Sequence, residues 1–151
     1  MSIFQGAVSL SLDAKGRIAI PSRHRDALAP EGTPLVMTAH PHRCVMIYPH
    51  AAWLPIRDTI NAMPGLDVRS ATIKRMIVGF AQEELLDSAG RVLLPSSLRQ
   101  FAGLDKLVWL VGQGSHFELW SDEGWARQQE AMLALAQDIT QLPAGMENLV
   151  L

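Results

Sequence analysis

Hydrophobic and polar residues alternate in the first stretch of the chain, where Val8, Leu10 and Leu12 are separated by serines. This period of two is typical of a strand with one buried face. The sequence DAKG interrupts the alternation, and a second short stretch runs from Arg17 to Ile20, which predicts a hairpin of two strands joined by a tight turn. Pro21 follows. Because proline suits the first position of a helix, the next residues, SRHRDAL, are predicted to form one or two helical turns.

The same pattern occurs again further along the chain, where LDSAGRVLLPSSLR matches the earlier LDAKGRIAIPSRHR at a shift of 74 positions. After a gap of two residues the match continues, and it brings Trp53 opposite Trp125. The chain therefore contains an internal repeat. The seven identical pairs join Leu12, Asp13, Gly16, Arg17, Pro21, Ser22 and Arg25 to Leu86, Asp87, Gly90, Arg91, Pro95, Ser96 and Arg99.

Each copy is predicted to contain four strands. In the first copy LVMTA and CVMIY are the third and fourth, joined by HPHR. A repeat this short cannot bury both faces of its strands, so we expect the two copies to pack on each other about a pseudo-twofold axis. The fold class is therefore α+β. The strands of the second copy are expected near 83–86, 91–94, 106–112 and 116–120.

Helices are predicted beside the repeats. A short one, SATIKRMIVGF, ends at Gly79 and follows the loop NAMPGLD. A longer one begins at about Ser121 as N-cap, and the tail after Pro143 is expected to be loose. Its apolar residues at helical spacing are Trp125, Met132, Leu135 and Ile139. These elements divide the chain into a first repeat at 7–54, a linker with a helix at 55–82, a second repeat at 83–126, and a C-terminal helix and tail at 127–151.

Composition indicates the cellular compartment in which the protein is expected. The one cysteine, Cys44, excludes an internal disulfide and suits a reducing environment. The N-terminus lacks the pattern of a signal peptide, and no stretch has the 18 or so consecutive apolar residues of a membrane span. We therefore expect a cytoplasmic protein with no membrane association.

Charge is distributed unevenly along the chain, although the net charge is only −2. Residues 1–75 hold nine Lys and Arg against five Asp and Glu, and residues 76–151 hold four against ten. This asymmetry is compatible with a basic face that binds nucleic acid. It is equally compatible with two halves that attract each other.

The repeated turn has Asp13 and Asp87 at its first position and Gly16 and Gly90 at its fourth. This spacing predicts a type I turn followed by a left-handed residue. The aspartates are expected to accept hydrogen bonds from turn amides, and the glycines to adopt positive φ without steric cost. These demands of the turn explain Asp and Gly, but they do not explain the arginine that follows each glycine.

Two interpretations of Arg17 and Arg91 remain open. Each arginine can pair with the turn aspartate four positions earlier, an interaction worth about 0–1 kcal/mol when exposed. Alternatively, two exposed guanidinium groups brought together by the pseudo-twofold axis can bind phosphates or the edge of guanine. For Arg23, Arg25 and Arg99 we favour a solvated helix face or subunit contacts.

The sequence HPHRC places His40, His42 and Cys44 at alternating positions, which suggests metal ligands. No fourth ligand is evident, and the second copy offers only His116, so we expect no metal. No arrangement of nucleophile and base is visible in the repeat. We therefore expect no enzymatic activity, no cofactor and no small-molecule substrate.

The segments LDAKGRIAIP and LDSAGRVLLP, after an N-terminal FQGA, closely resemble the MraZ family of bacterial transcriptional regulators. The resemblance implies two tandem AbrB-like swapped-hairpin units and a nucleoid-associated, ring-shaped homo-oligomer. It also implies binding of double-stranded DNA at direct repeats upstream of the cell-division and cell-wall gene cluster, where we expect repression.

The resemblance also assigns roles to the turns. Arg17 and Arg91 are expected to contact DNA, while Asp13 and Asp87 shape the loops. Lys15 supplies a second cation to the first loop, whereas the second has Ala89 at this position. An alternative is a protein-interaction or assembly module of the same fold, antitoxin-like, with the acidic C-terminal helix as its contact. Steep salt dependence of binding would favour DNA.

Overall fold

The computed structural model describes residues 3–137 and 143–150, and the two repeats contain the same elements in the same order. The first half of the chain forms β1 (Ala7–Ser11), β2 (Arg17–Ala19), α1 (Ser22–Leu28), β3 (Leu35–His40), β4 (Cys44–Pro49), α2 (His50–Asn61) and α3 (Val68–Ile77). The second half forms β5 (Gln82–Glu84), β6 (Arg91–Leu93), α4 (Ser96–Ala102), β7 (Leu107–Gly112), β8 (Phe117–Ser121) and α5 (Asp122–Gln137). Among the described residues, no helix is both long and apolar enough to cross a membrane.

The strands of the two repeats are interleaved in two antiparallel sheets. The larger has the order β1-β7-β8-β4-β3-β5, and the smaller pairs β2 with β6. Thus the first strand of each repeat pairs with the third strand of the other. The prediction of two paired hairpins is wrong in this respect, since β1 and β2 form no ladder with each other in the part of the chain described. In the described structure the hydrogen bonding between the two is confined to the turn that joins them, where the Asp13 N–H donates to the Arg17 carbonyl at 2.9 Å.

The pairing has an approximate twofold symmetry. In the small sheet Ile18 lies opposite Val92, its counterpart in the repeat. Two reciprocal hydrogen bonds flank this pair: the Ile20 N–H donates to the Gly90 carbonyl at 2.9 Å, and the Leu94 N–H donates to the Gly16 carbonyl at 2.8 Å. Each repeat therefore fixes the backbone of the other directly at its turn.

The main core joins the small sheet to one face of the large sheet and to α1 and α4. Its most buried side chains include Ile18, Ile20, Leu94, Ile47 and Leu119. The opposite face of the large sheet is covered by two smaller clusters, one under α2 and α3 and one under α5. The structure thus has the antiparallel sheets and flanking helices of the predicted α+β class.

Several helix boundaries differ from the predicted ones. Pro21 and Pro95 are N-caps rather than first helical residues, because their ψ values of 135° and 142° are extended. Helix α3 begins at Val68, two residues before the predicted start at Ser70, because the Asp67 carboxylate caps it by accepting a hydrogen bond from the Arg69 N–H.

The C-terminal helix α5 begins as predicted. The Ser121 hydroxyl accepts a hydrogen bond from the Gly124 N–H at 2.9 Å, which confirms Ser121 as its N-cap. Ile139 lies outside the described residues, and residues 143–150 form turns without a helix or strand. The corresponding helix of the first repeat, α2, was not predicted; it contains Pro55, which has no backbone N–H to donate within the helix.

Candidate nucleic-acid interface

The two turns share one backbone geometry. In the first, the Gly16 N–H donates to the Asp13 carbonyl at 3.0 Å, and Gly16 has a φ of 84°. In the second, the Gly90 N–H donates to the Asp87 carbonyl at 2.9 Å, and Gly90 has a φ of 75°. Both are closed turns whose fourth residue is left-handed, a conformation that glycine adopts without steric cost.

Each turn aspartate organises the amides that follow it. Oδ1 of Asp13 accepts from the N–H groups of Lys15 at 2.9 Å and Arg17 at 2.8 Å. Oδ1 of Asp87 accepts from those of Ala89 and Arg91, both at 2.9 Å. These bonds, above all the one from each arginine's backbone N–H, lower the pKa of both carboxyl groups. Both aspartates are therefore anionic at neutral pH.

The arginines pair with these carboxylates. Nε of Arg17 donates to Oδ2 of Asp13 at 2.8 Å, and Nε of Arg91 donates to Oδ2 of Asp87 at 3.0 Å. Nη1 of Arg17 also lies 4.0 Å from Oδ2 of Asp87, so this guanidinium sits between carboxylates of both repeats. The side chain of Arg17 is 26% exposed and that of Arg91 is 40% exposed.

The four charged side chains form one group, which we call the turn cluster: Asp13, Arg17, Asp87 and Arg91. Its formal charges cancel. Lys15, exposed on the first turn, adds a positive charge that the second turn lacks. The structure therefore brings all seven predicted turn residues to one site, but it presents the arginines with one donor already engaged rather than as bare guanidinium groups.

Two further arginines make contacts that the sequence pattern did not predict. Nε of Arg25 donates to the Ile20 carbonyl at 2.7 Å, and Nε of Arg99 donates to the Leu94 carbonyl at 3.0 Å. Each guanidinium then covers the glycine of the opposite turn. A Cβ at Gly90 would lie 2.1 Å from Nε of Arg25, and one at Gly16 would lie 2.9 Å from Cζ of Arg99.

The expected solvated helix face is therefore wrong for Arg25 and Arg99, because each is half-buried against the other repeat of its own chain. The alternative of subunit contacts stays a prediction. Arg23 is exposed, and its Nε donates to Nε2 of His24 at 3.1 Å. The only sequence signal that Arg25 and Arg99 cover the glycines of the opposite turns is that the two arginines occupy equivalent positions in the repeat.

A second group of polar side chains lies on the other face of the large sheet. The ligand atoms of His40, Cys44 and Glu118 all lie within 4.8 Å of one another. Burial lowers the pKa of His40 and raises the pKa of the Cys44 thiol. His42, which the sequence pattern places with His40 and Cys44, is not part of this group among the described residues.

Comparison with known proteins explains why the turn occurs twice. The family model described as "MraZ protein, putative antitoxin-like" matches the chain twice, at residues 3–76 and 77–141. The chain belongs to the MraZ family. The family resemblance noted in the sequence is thereby confirmed, and the two matches place one MraZ unit in each half of the chain.

Three relatives match across almost the whole length. The Transcriptional regulator MraZ of Azoarcus sp. is 69% identical over 149 residues, and that of Aromatoleum aromaticum is 68% identical over 149 residues. The Transcriptional regulator MraZ of Dechloromonas aromatica is 55% identical over 152 residues. In all three comparisons, 99% of this chain and 100% of the relative are covered. These MraZ proteins are named as regulators and not as enzymes.

Proposed function

We propose that the protein is a sequence-specific DNA-binding transcriptional regulator that contacts double-stranded DNA with its two paired turns. The names of its MraZ relatives support regulation rather than enzymatic catalysis. One structural observation supports the location: the small sheet holds the two Asp-x-x-x-Arg turns together so closely that Arg17 reaches the carboxylates of both.

The geometry of the turn cluster suits recognition by arginine. Asp87 accepts a hydrogen bond from Nε of Arg91 and so fixes the plane of the guanidinium, while the Nη atoms donate to no acceptor among the described residues. A guanidinium held this way can donate from both Nη atoms to phosphate oxygens, or to O6 and N7 of guanine, without losing much side-chain entropy on binding. Lys15 adds attraction to phosphate that is independent of sequence.

The weak charge of the turn cluster favours multivalent binding. One chain presents few uncompensated cations, so we infer that several chains of a ring-shaped homo-oligomer bind several direct repeats of a promoter together. The exchange of first strands between the repeats supports swapped-hairpin units of the AbrB kind. The remaining proposals follow the family resemblance: repression upstream of the cell-division and cell-wall gene cluster, in the cytoplasm at the nucleoid.

A second candidate function is protein interaction or assembly, of the antitoxin-like kind that the family description includes. It is supported by α5, whose first turn carries Asp122 and Glu123 and whose later residues Leu133 and Leu135 are 64% and 72% exposed. Exposed leucines on a helix are a frequent feature of protein contacts.

Fluorescence anisotropy distinguishes the two functions. The full chain is titrated onto a duplex with the direct repeats from upstream of its own gene, and onto a scrambled duplex, at two salt concentrations. We expect tighter binding to the repeats and a steep loss of affinity with salt, because bound phosphates release counterions. Equal affinity for both duplexes, or none at low salt, would contradict the regulator and favour the protein-interaction function.

A further inference from the structure

The group formed by His40, Cys44 and Glu118 is assembled from distant parts of the sequence. His40 ends β3 and Cys44 begins β4, and the two are paired across the turn that joins these strands. Glu118 belongs to β8 of the other repeat and lies opposite Met46, two residues beyond Cys44. Since residues two apart on a strand share a face, all three side chains lie on the same face of the large sheet.

Charge balance in this group is incomplete. Glu118 is half-buried, yet it forms no ion pair with a lysine or arginine in the described part of the chain. Its side chain accepts one hydrogen bond, from Nε1 of Trp120 at 3.1 Å. A carboxylate beside an imidazole and a thiol, without a fixed cation, is a set of side chains that a bound cation would complete.

We propose that His40, Cys44 and Glu118 bind a divalent zinc ion. Nitrogen, sulfur and carboxylate oxygen are the three ligand types that Zn²⁺ takes in proteins, whereas Mg²⁺ and Ca²⁺ require oxygen and avoid thiolate. Three protein ligands leave the fourth tetrahedral position to water. Binding converts the Cys44 thiol to a thiolate and releases its proton to solvent.

Small side-chain rotations close the site. Zinc bonds of about 2.0–2.3 Å place tetrahedral ligand atoms roughly 3.3–3.8 Å apart, so the present separations of up to 4.8 Å must shrink by about 1 Å. Cys44 is fully buried, and the half-buried His40 and Glu118 therefore make the movement. His40 gives up one exposed hydrogen bond, in which its Nδ1 accepts from the His42 N–H at 2.9 Å.

The proposed ion connects the two repeats. His40 and Cys44 come from the first repeat and Glu118 from the second, so bound zinc adds a link between β4 and β8 on the face opposite the main core. This proposal is independent of the DNA-binding function, because the group and the turn cluster share no residue.

Cobalt provides a direct probe, because Co²⁺ replaces Zn²⁺ and a thiolate ligand produces a near-ultraviolet charge-transfer band. We expect this band when Co²⁺ is added to the full-length protein, and we expect Zn²⁺ to abolish it by competition. Glu118→Gln and His40→Ala should weaken Co²⁺ binding at least tenfold, and Cys44→Ala should remove the band. His42→Ala is the matched control, since it removes a neighbouring imidazole outside the group, and it should bind Co²⁺ as the wild type does.

Thermal unfolding provides a second readout. It does not use Cys44→Ala, so it remains valid even if that variant folds poorly. Zn²⁺ should raise the Tm of the wild type and of His42→Ala, but not that of Glu118→Gln. Absence of the charge-transfer band from wild-type protein at millimolar Co²⁺ would overturn the proposal. So would a band that Glu118→Gln and His40→Ala retain unchanged, because cobalt would then be bound elsewhere.

Discussion

The two turns have the same backbone but hold their arginines differently. In both, an aspartate binds the amides of the turn and Nε of the arginine. In the first turn Arg17 also approaches Asp87 of the second, at 4.0 Å, and is 26% exposed. In the second turn Arg91 is 40% exposed and pairs with Asp87 of its own turn.

We propose that this difference separates a structural role from a recognition role within the duplicated motif. Arg17 lies between two carboxylates of opposite repeats, so much of its charge interaction is with groups of the protein itself. Arg91 has more surface available to a ligand. The first turn compensates with Lys15, a cation that the second turn lacks. We therefore expect the first turn to attract DNA by charge and the second to recognise it more specifically.

The largest effect should come from Gly90 and Gly16, the turn glycines that Arg25 and Arg99 cover. Gly90→Ala forces alanine into a φ of 75° and displaces Arg25, whose Nε would lie 2.1 Å from the new Cβ. The left-handed backbone costs about 1–2 kcal/mol, and loss of the Arg25 hydrogen bond to Ile20 adds about 1 kcal/mol. Gly16→Ala should cost less, since its nearest atom, Cζ of Arg99, is 2.9 Å away. Urea unfolding measures both.

Gly32→Ala is the control for the backbone contribution. Gly32 has a φ of 77°, but no atom in the described part of the chain lies within 4 Å of its Cβ position beyond its immediate neighbours. The excess destabilisation of Gly90→Ala over Gly32→Ala therefore measures the packing of Arg25. If the two variants lose equal stability, the packing of Arg25 against Gly90 contributes nothing to the stability of the turn.

Arg91→Ala should weaken DNA binding about tenfold or more, as expected when a guanidinium that contacts a base is lost. Its stability should change little, because exposed ion pairs contribute about 0–1 kcal/mol. Arg17→Ala should lose less affinity but more stability, since Asp13 and Asp87 are left without their shared cation. Anisotropy and urea unfolding on the same preparations separate the two effects.

Arg127→Ala is the control for loss of positive charge, because Arg127 is 73% exposed on α5 and far in sequence from both turns. Arg91→Lys keeps the charge but removes the forked donor. A lysine variant that binds like the wild type would reduce Arg91 to a phosphate contact. Greater loss of affinity in Arg17→Ala than in Arg91→Ala would reverse the assignment of the two turns.

Acid stability should depend on the turn aspartates. Their pKa values lie below the ordinary 3.8 in the folded chain, chiefly because backbone N–H groups donate to them. Each therefore stabilises the fold fully above its unfolded pKa, and this contribution disappears as the pH falls from about 4 through the lowered folded value. Urea midpoints measured between pH 5 and pH 2.5 should fall less steeply in Asp87→Asn than in wild-type protein.

Asp13→Asn sharpens the comparison between the turns. Asp87 interacts with both Arg17 and Arg91, whereas the contacts of Asp13 in the described structure are with Arg17 and the amides of its own turn. The asparagine at 87 should therefore flatten the acid profile more than the asparagine at 13. Indistinguishable profiles would show that the Arg17 contact with Asp87 contributes no stability.

Local chemistry made the turns predictable. The spacing of Asp13 and Gly16 specifies the turn because the interacting groups lie within four residues, and the repeat shows that the same geometry occurs twice. The capping of α5 by Ser121 is local in the same sense. Helix α2 was not predictable in this way, because proline, here Pro55, is typical of a helix break rather than of a helix interior.

Contacts between the repeats were not predictable in this way. The exchange of β1 and β5 depends on which edge of the sheet each strand reaches, and a strand pattern reports burial rather than partner. Arg25 lies 65 positions from Gly90, and Glu118 lies 74 positions from Cys44. Both contacts follow from the twofold packing, so a single sequence shows the residues but not their pairing.

The smallest expected effect concerns Lys15, and it tests the division of roles most directly. Each phosphate contact changes the slope of log K against log salt by about 0.9. Lys15→Ala should therefore reduce this slope by about 1 and weaken binding to specific and scrambled duplexes equally. Ala89→Lys, which gives the second turn the cation of the first, should increase the slope by about 1 without improving discrimination. If Ala89→Lys instead changes the preference between duplexes, the second turn positions this residue against bases rather than phosphates, and charge alone does not distinguish the two turns.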